Sequence, residues 1–282
     1  MKYSIRHQVG DLEVFILTDG KKDFDQDTFT NTNTSEIKQL LSLNSKTKIE
    51  TNFNAFLVKS QSKTILIDAG AGKLFGSIAG NLGKALQELN IKNDAITDLI
   101  ATHLHPDHIG GMLTDDGKMV FKNASLTMSE EEYSFWRSPE NFKDQPDQKR
   151  LPILLTDVYS DRLKLCKIDA DLGSGLSAIN LPGHTAGHIG VRVSSGDRQF
   201  IIAADIIHAQ YLQINNPSIG VVFDQDYELA KNSRVKLLDM LSNDQLEFSG
   251  GHLIFPAVGR IATNGTSYQW VQSQIAGNSL AT

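Results

Sequence analysis

Residues 96–111 read ITDLIATHLHPDHIGG, and this stretch decides the fold. Its first half is apolar and β-branched, a strand that delivers its C-terminal end into a histidine cluster. Three of the chain's eight histidines fall within six residues here. Along extended backbone, side chains at i and i+2 point the same way, so His103 and His105 can grip one cation together. Pro106 then redirects the chain, and Asp107 and His108 open the next element facing a second cation. Ile109-Gly110-Gly111 supplies tight backbone packing against the site. The apolar strand, the proline and the glycine pair together argue against an accidental surface cluster.

Further ligand types stand where other strands should end. His184 follows the strand 176–181, Asp205 follows 199–204 and His252 follows 246–249. Ligands at the ends of separate strands converge on one rim of a sandwich and are held by rigid elements. The set is five imidazoles and two carboxylates, a chemistry that suits zinc, with iron or manganese as alternatives. No cysteine belongs to it, so thiolate schemes are excluded.

The rest of the chain frames this site. Its 282 residues suffice for one large layered α/β domain, and no repeat, low-complexity tract or linker divides it. A single domain over 1–282 is therefore expected. Residues 21–51 are polar and poorly periodic apart from a short amphipathic helix at 35–43. They read equally as an active-site flap and as a surface excursion. Residues 139–160 read as an exposed, charged insertion. Ser129 followed by Glu132 is a capping-box pattern for a helix. A long helix is expected over 224–244, with Leu229, Val235, Leu238 and Leu241 among its apolar positions, and a terminal hairpin over 259–271.

The formal charge of −6 disfavours nucleic acid and anionic membranes as partners. The N-terminus has no apolar leader, and no run approaches the ~18 apolar residues of a membrane span. The chain thus reads as cytoplasmic and free of membrane. Cys166, the one cysteine, has no internal disulfide partner and reads as a small buried hydrophobe in a strand.

Five segments in order, TILIDAG (64–70), THLHPDHIGG (102–111), PGHTAGH (182–188), AADIIH (203–208) and GGHLIF (250–255), resemble the motifs of the metallo-β-lactamase superfamily. The resemblance implies an αββα sandwich. It assigns His103, His105 and His184 to one metal, and Asp107, His108 and His252 to a second. Asp205 would bridge both, and two divalent ions, most readily zinc, would be bound. It makes Asp68 an acid that orients the ligand loop, and His188 a structural residue of the loop that carries His184. The implied reaction is hydrolysis by a metal-bridging hydroxide, with Asp107 moving the proton.

The C-terminal half resembles the branch of methyl parathion hydrolase and the N-acyl homoserine lactone lactonases. Homoserine lactones are the leading substrate class. Phosphotriesters are the alternative, and β-lactams rank below both. Where many such lactonases carry a tyrosine, three residues after the bridging aspartate, this chain has His208, which can still donate a hydrogen bond to substrate. Phe135, Trp136, Tyr211, Ile219, Phe223 and Phe255 are candidate pocket walls. A small-molecule substrate is implied, and a homodimer is left open.

Overall fold

The computed structural model describes residues 2–274 apart from 144, 264 and 266. The two ends of the expected single domain, and part of the turn in the terminal hairpin, lie outside the described residues. In chain order the strands are β1 (Ser4–Val9), β2 (Leu12–Phe24), β3 (Phe29–Thr30), β4 (Ile49–Lys59), β5 (Thr64–Ile67), β6 (Asp98–Ile100), β7 (Ser125–Ser129) and β8 (Leu163–Cys166). There follow β9 (Asp171–Gly173), β10 (Leu176–Asn180), β11 (Ile189–Ser195), β12 (Arg198–Ile202), β13 (Gly220–Val221), β14 (Glu247–Ser249), β15 (Gly259–Thr263) and β16 (Tyr268–Gln272). The helices are α1 (Thr34–Leu43), α2 (Leu82–Glu88), α3 (Pro106–Ile109), α4 (Glu130–Arg137), α5 (Arg150–Val158), α6 (Gln210–Gln213) and α7 (Tyr227–Asn243).

Two seven-stranded sheets run β1-β2-β4-β5-β6-β7-β8 and β16-β15-β14-β12-β11-β10-β9. Their facing sides share one core: Val14, Ile16, Phe56, Val58, Ile65 and Ile67 meet Val191, Val193, Phe200 and Phe248. The outer side of the first sheet is covered too. Phe15, Leu17, Leu57 and Leu66 pack with Leu86 of α2, Trp136 of α4 and Leu155 of α5. Residues 12–20 read as an alternating strand, but 14–17 are an unbroken apolar run, because neither face of β2 meets water there. Helix α7 lies against the second sheet through β15. The result is the αββα arrangement.

Topology places the ligands. Strands β5, β6, β7 and β8 pair in parallel, so their C-terminal ends share an edge. In the other sheet β12 and β14 are parallel, and β10 runs the same way because two antiparallel pairings through β11 separate it from β12. Asp68, the 102–108 segment, His184, Asp205 and His252 all follow such ends.

Several sequence expectations need correction. The Asp19-Gly20 pair that closes the run 12–20 predicts a strand running into a turn, but β2 does not turn there. It shifts register there and runs on to Phe24, paired with β4 as far as Ile49. Segment 21–51 is therefore more regular than its composition suggests. Phe29, Ile37, Leu41 and Ile49 build a small core with Leu212, Ile219 and Val221. The 139–160 segment is not simply exposed: Leu155 is buried on the inward face of the amphipathic α5, Tyr159 is buried at its C-cap, and Phe142, in the turn before it, is buried against Trp136. In α7, Leu229 points to solvent while Arg234 is fully buried. Cys166 is half-buried at the edge strand β8, and burial pushes its thiol up.

Candidate metal centre

His105 is the N-cap of α3, with extended backbone, and Pro106 occupies the first turn. The helix start turns Asp107 and His108 away from the direction set by His103 and His105. Behind them the backbone is packed to contact: a Cβ at Gly111 would lie 2.0 Å from the Ala69 carbonyl oxygen, and one at Gly110 would lie 2.4 Å from that of Ala71. The loop after β14 is equally close. A Cβ at Gly251 would lie 2.3 Å from Asp205 Oδ1, so only glycine lets His252 approach.

Three groups of ligand atoms gather at the rim among the described residues: His103/His105/His184, Asp107/His108/Asp205/His252, and His184/Asp205/His208, the last sharing His184 and Asp205 with the first two. In the first, His105 Nδ1 lies 3.1 Å from His103 Nε2 and 2.9 Å from His184 Nε2. In the second, Asp205 Oδ2 lies 2.9 Å from His252 Nε2 and 3.1 Å from His108 Nε2. The same oxygen is 3.6 Å from His184 Nε2 and 3.7 Å from His103 Nε2, so one carboxylate stands between the groups. Asp107 Oδ2 is 3.4 Å from His252 Nε2.

The outer nitrogens show which way the lone pairs face. His108 Nδ1 is 2.8 Å from Asp68 Oδ2, His184 Nδ1 is 3.0 Å from Asp224 Oδ1, and His252 Nδ1 is 3.0 Å from the Asn52 carbonyl oxygen. Each of these partners accepts, so each outer nitrogen carries a proton and each Nε2 faces inward. His103 Nδ1 is 3.1 Å from Thr102 Oγ1, which itself donates to Asp68. Asp68 also accepts from the Thr102 amide and sits at φ +57°, a strained conformation for a non-glycine residue.

Burial pushes His103 and His105 well below the usual imidazole range, toward the neutral form that ligates. Burial also opposes charge on His108, but the carboxylates of Asp205, Asp68 and Asp107 outweigh it and hold this imidazole well up, so that its Nε2 carries a proton that a cation would displace to use the lone pair. Three carboxylates at one buried spot call for cations. Four nitrogens about 2.0–2.1 Å from a tetrahedral ion stand about 3.3 Å apart, close to the spacings seen. Asp205 Oδ1 is buried without a hydrogen-bond partner among the described residues. The donor set suits a dinuclear metal site.

His188 links two loops. Its Nδ1 donates to the Leu181 carbonyl oxygen at 2.8 Å, and its Nε2 accepts from the Asp205 amide at 3.0 Å, with burial pushing its pKa down to about 3. His208 lies beside the second group, its Nε2 3.4 Å from Asp205 Oδ2.

A cavity of about 450 Å³ opens above the centre, with His105, Asp107, His184, Asp205, His208 and His252 in its floor. Among the candidate wall residues, Trp136 and Phe223 line it. The other four do not. Phe135 packs behind Trp136 against Phe142, Ile219 belongs to the small core, Tyr211 lies under the Lys46 ammonium and Phe255 bonds through its amide to Asn52. Phe24, Phe53 and Phe75, which sequence reasoning missed, supply the remaining rings. Phe24 and Phe53 stand edge-on to His252 at 5.9 and 5.7 Å. Phe24 and Lys22 come from the segment 21–51, which thus contributes to the pocket of its own chain.

A model of the metallo-beta-lactamase superfamily matches residues 51–252, which hold all seven ligand candidates. The chain belongs to this superfamily. Its metallo-β-lactamase fold is shared with the structure of AidC, a dizinc quorum-quenching lactonase in complex with the product N-hexanoyl-L-homoserine. That structure is 30% identical at a TM-score of 0.89, covering 97% of this chain and 99% of the other. The hydrolase AbOPH of the beta lactamase superfamily is 28% identical at a TM-score of 0.88, covering 97% and 98%. The beta-lactamase-like protein 2 homolog of Drosophila melanogaster is 27% identical over 230 residues, 81% of this chain and 68% of that protein. As a metallo-β-lactamase superfamily member with hydrolases as neighbours, the chain is an enzyme, a metallo-hydrolase. Among the described residues no helix is long and apolar enough to cross a membrane.

Proposed function

We propose that this chain hydrolyses lactones, N-acyl homoserine lactones above all, with two zinc ions. The observation that carries this reading is the division of the cavity. Its floor is the polar ligand cluster, and its walls include Phe24, Phe53, Phe75, Trp136 and Phe223. Such a cavity accepts a small polar ring below and an apolar acyl chain above. The 30% identity to a dizinc lactonase over 97% of the chain supports the same class.

His103, His105 and His184 would hold one ion, Asp107, His108 and His252 the other, and Asp205 both. Bound there, the ions supply a hydroxide nucleophile near neutral pH and Lewis-acid polarisation of a carbonyl. The protein's own groups do the rest. Asp107 lies partly exposed in the cavity floor, placed to take the proton from the attacking water and return it to the ring oxygen as the ester bond breaks. Water thus adds across the ring C–O bond, giving a hydroxy acid. Burial holds the His208 imidazole well below its usual range, so it meets substrate as a neutral N–H donor to the carbonyl oxygen. The aromatic walls exclude water from the acyl chain.

The test is a hydrolysis panel of N-acyl homoserine lactones, phosphotriesters and a cephalosporin with zinc-loaded protein. The expected result is a kcat/KM for a lactone well above the others. A phosphotriester or β-lactam preferred over every lactone overturns the substrate assignment.

A further inference from the structure

We infer that Glu132 is a positioning residue that fixes the first metal's three histidines and the cavity wall Trp136 as one unit. The inference rests on the metal assignment above but not on the substrate.

Glu132 sits in the first turn of α4, behind Ser129, whose hydroxyl caps the Glu132 amide at 3.0 Å. A capping box would send the glutamate back to the Ser129 amide. Instead the side chain turns inward and is fully buried. Its Oε1 accepts from the Leu104 amide at 2.9 Å and from Trp136 Nε1 at 2.6 Å. Its Oε2 accepts from Thr185 Oγ1 at 2.6 Å and from the Gly187 amide at 3.1 Å.

The partners show what is being held. The Leu104 amide belongs to the residue between His103 and His105. Thr185 directly follows His184. One carboxylate therefore joins the two chain segments that carry the first ligand group, 81 positions apart at His103 and His184. Trp136, the third partner, lines the cavity with its ring edge-on to His105 at 5.7 Å. The seam is closed at backbone level as well. Ser129 Oγ donates to the Gly187 carbonyl oxygen at 2.6 Å, and a Cβ at Gly187 would lie 2.0 Å from the Glu132 amide nitrogen.

A buried carboxylate is tolerated only when its acceptor sites are filled. Here all four are, three of them by groups that can only donate. Burial pushes the carboxyl up while these donors oppose it. Without the carboxylate, the two ligand segments would be aligned mainly by the ion they bind, and ordering them would weaken binding. Outer partners of ligand groups typically account for about 10–100-fold in metal affinity.

Glu132→Gln preserves shape but turns an amide NH2 toward one donor pair, so at least one N–H faces an N–H. Zinc binding is read by competition with a chelator, alongside the change in Trp136 fluorescence on zinc addition. The expected result is a variant of wild-type fold that keeps one of its two zinc affinities and loses roughly tenfold or more in the other. Its tryptophan response to zinc is diminished. Trp136→Phe, which removes one donor and keeps a ring, retains both affinities to within a few-fold.

If Glu132→Gln does not fold, Thr185→Val removes a single donor in a near-isosteric way and is expected to weaken the same zinc affinity alone. Wild-type affinity for both ions in a folded Glu132→Gln, or in Thr185→Val where the first is unavailable, overturns the inference. Zinc stoichiometry of the wild type reports on the dinuclear reading, and the variant-to-wild-type ratio reports on Glu132, so the two fail separately.

Discussion

His105 Nδ1 and His184 Nε2 lie 2.9 Å apart although 79 positions separate them in the chain. The outer nitrogen of His184 is committed to Asp224, so the inner one carries a lone pair. The same Nδ1 of His105 also stands 3.1 Å from His103 Nε2. A single proton cannot satisfy three converging nitrogens, whereas one cation can. The same demand is repeated around Asp205.

Asp205→Ala removes the carboxylate that stands between the two ligand groups. Turnover should fall by more than roughly a hundredfold, together with metal content, because ion binding and nucleophile placement both depend on it. Steady-state kinetics and elemental analysis on the same sample check this. Near-normal turnover with metal retained sinks the bridging role.

His208→Ala tests the donor at the cavity floor. Metal content should stay at the wild-type level while lactone turnover drops by roughly ten- to a thousandfold. If His208 only packs, thermal stability falls and the rate per folded molecule does not. His208→Tyr restores a donor and should match or exceed His208→Ala in lactonase activity. A folded, metallated but inactive His208→Tyr beside an active His208→Ala contradicts the contact.

Asp19 anchors the loop that carries Phe75. Its carboxylate accepts from the amides of Ala71, Gly80 and Leu82 at 2.8–3.0 Å, and it is fully buried. Asp19→Ala strands three backbone donors, at a cost of about 2–4 kcal/mol given about 1–3 kcal/mol per unsatisfied buried group and partial relaxation. Denaturant unfolding measures it. A loss below about 0.5 kcal/mol would mean the loop holds itself.

The metal ligands were legible because their spacing is local: two histidines at i and i+2, a proline, an Asp-His pair, and single ligands after apolar strands. A layered α/β domain was legible in the order of strands and helices, and the αββα arrangement came from the resemblance of the five ordered motifs. What escaped were residues whose partners are distant and mostly backbone. Asp19 looked like half of a turn, yet it bonds to amides 52–63 positions away. Glu132 carried the mark of a capping box, but four donors outweighed the single Ser129 amide. Asp224 belongs to no motif and is identified only by His184 Nδ1 and the buried Arg234 beside it. Arg234 escaped because a helix periodicity read from leucines gives no reason to bury a guanidinium. In the structure it donates to the carbonyl oxygens of Ile206, Pro217 and Ile219, and so holds the segment that carries His208. Pocket aromatics were the weakest reading, because a phenylalanine in or beside a strand looks the same whether it faces the core or a cavity.

The number of metal ions per chain bears most directly on the centre. Elemental analysis after gentle purification should approach two equivalents of divalent metal, as two converging ligand groups require. A reproducible single equivalent under saturating metal, with the Asp107, His108 and His252 side empty, would contradict a dinuclear hydrolase.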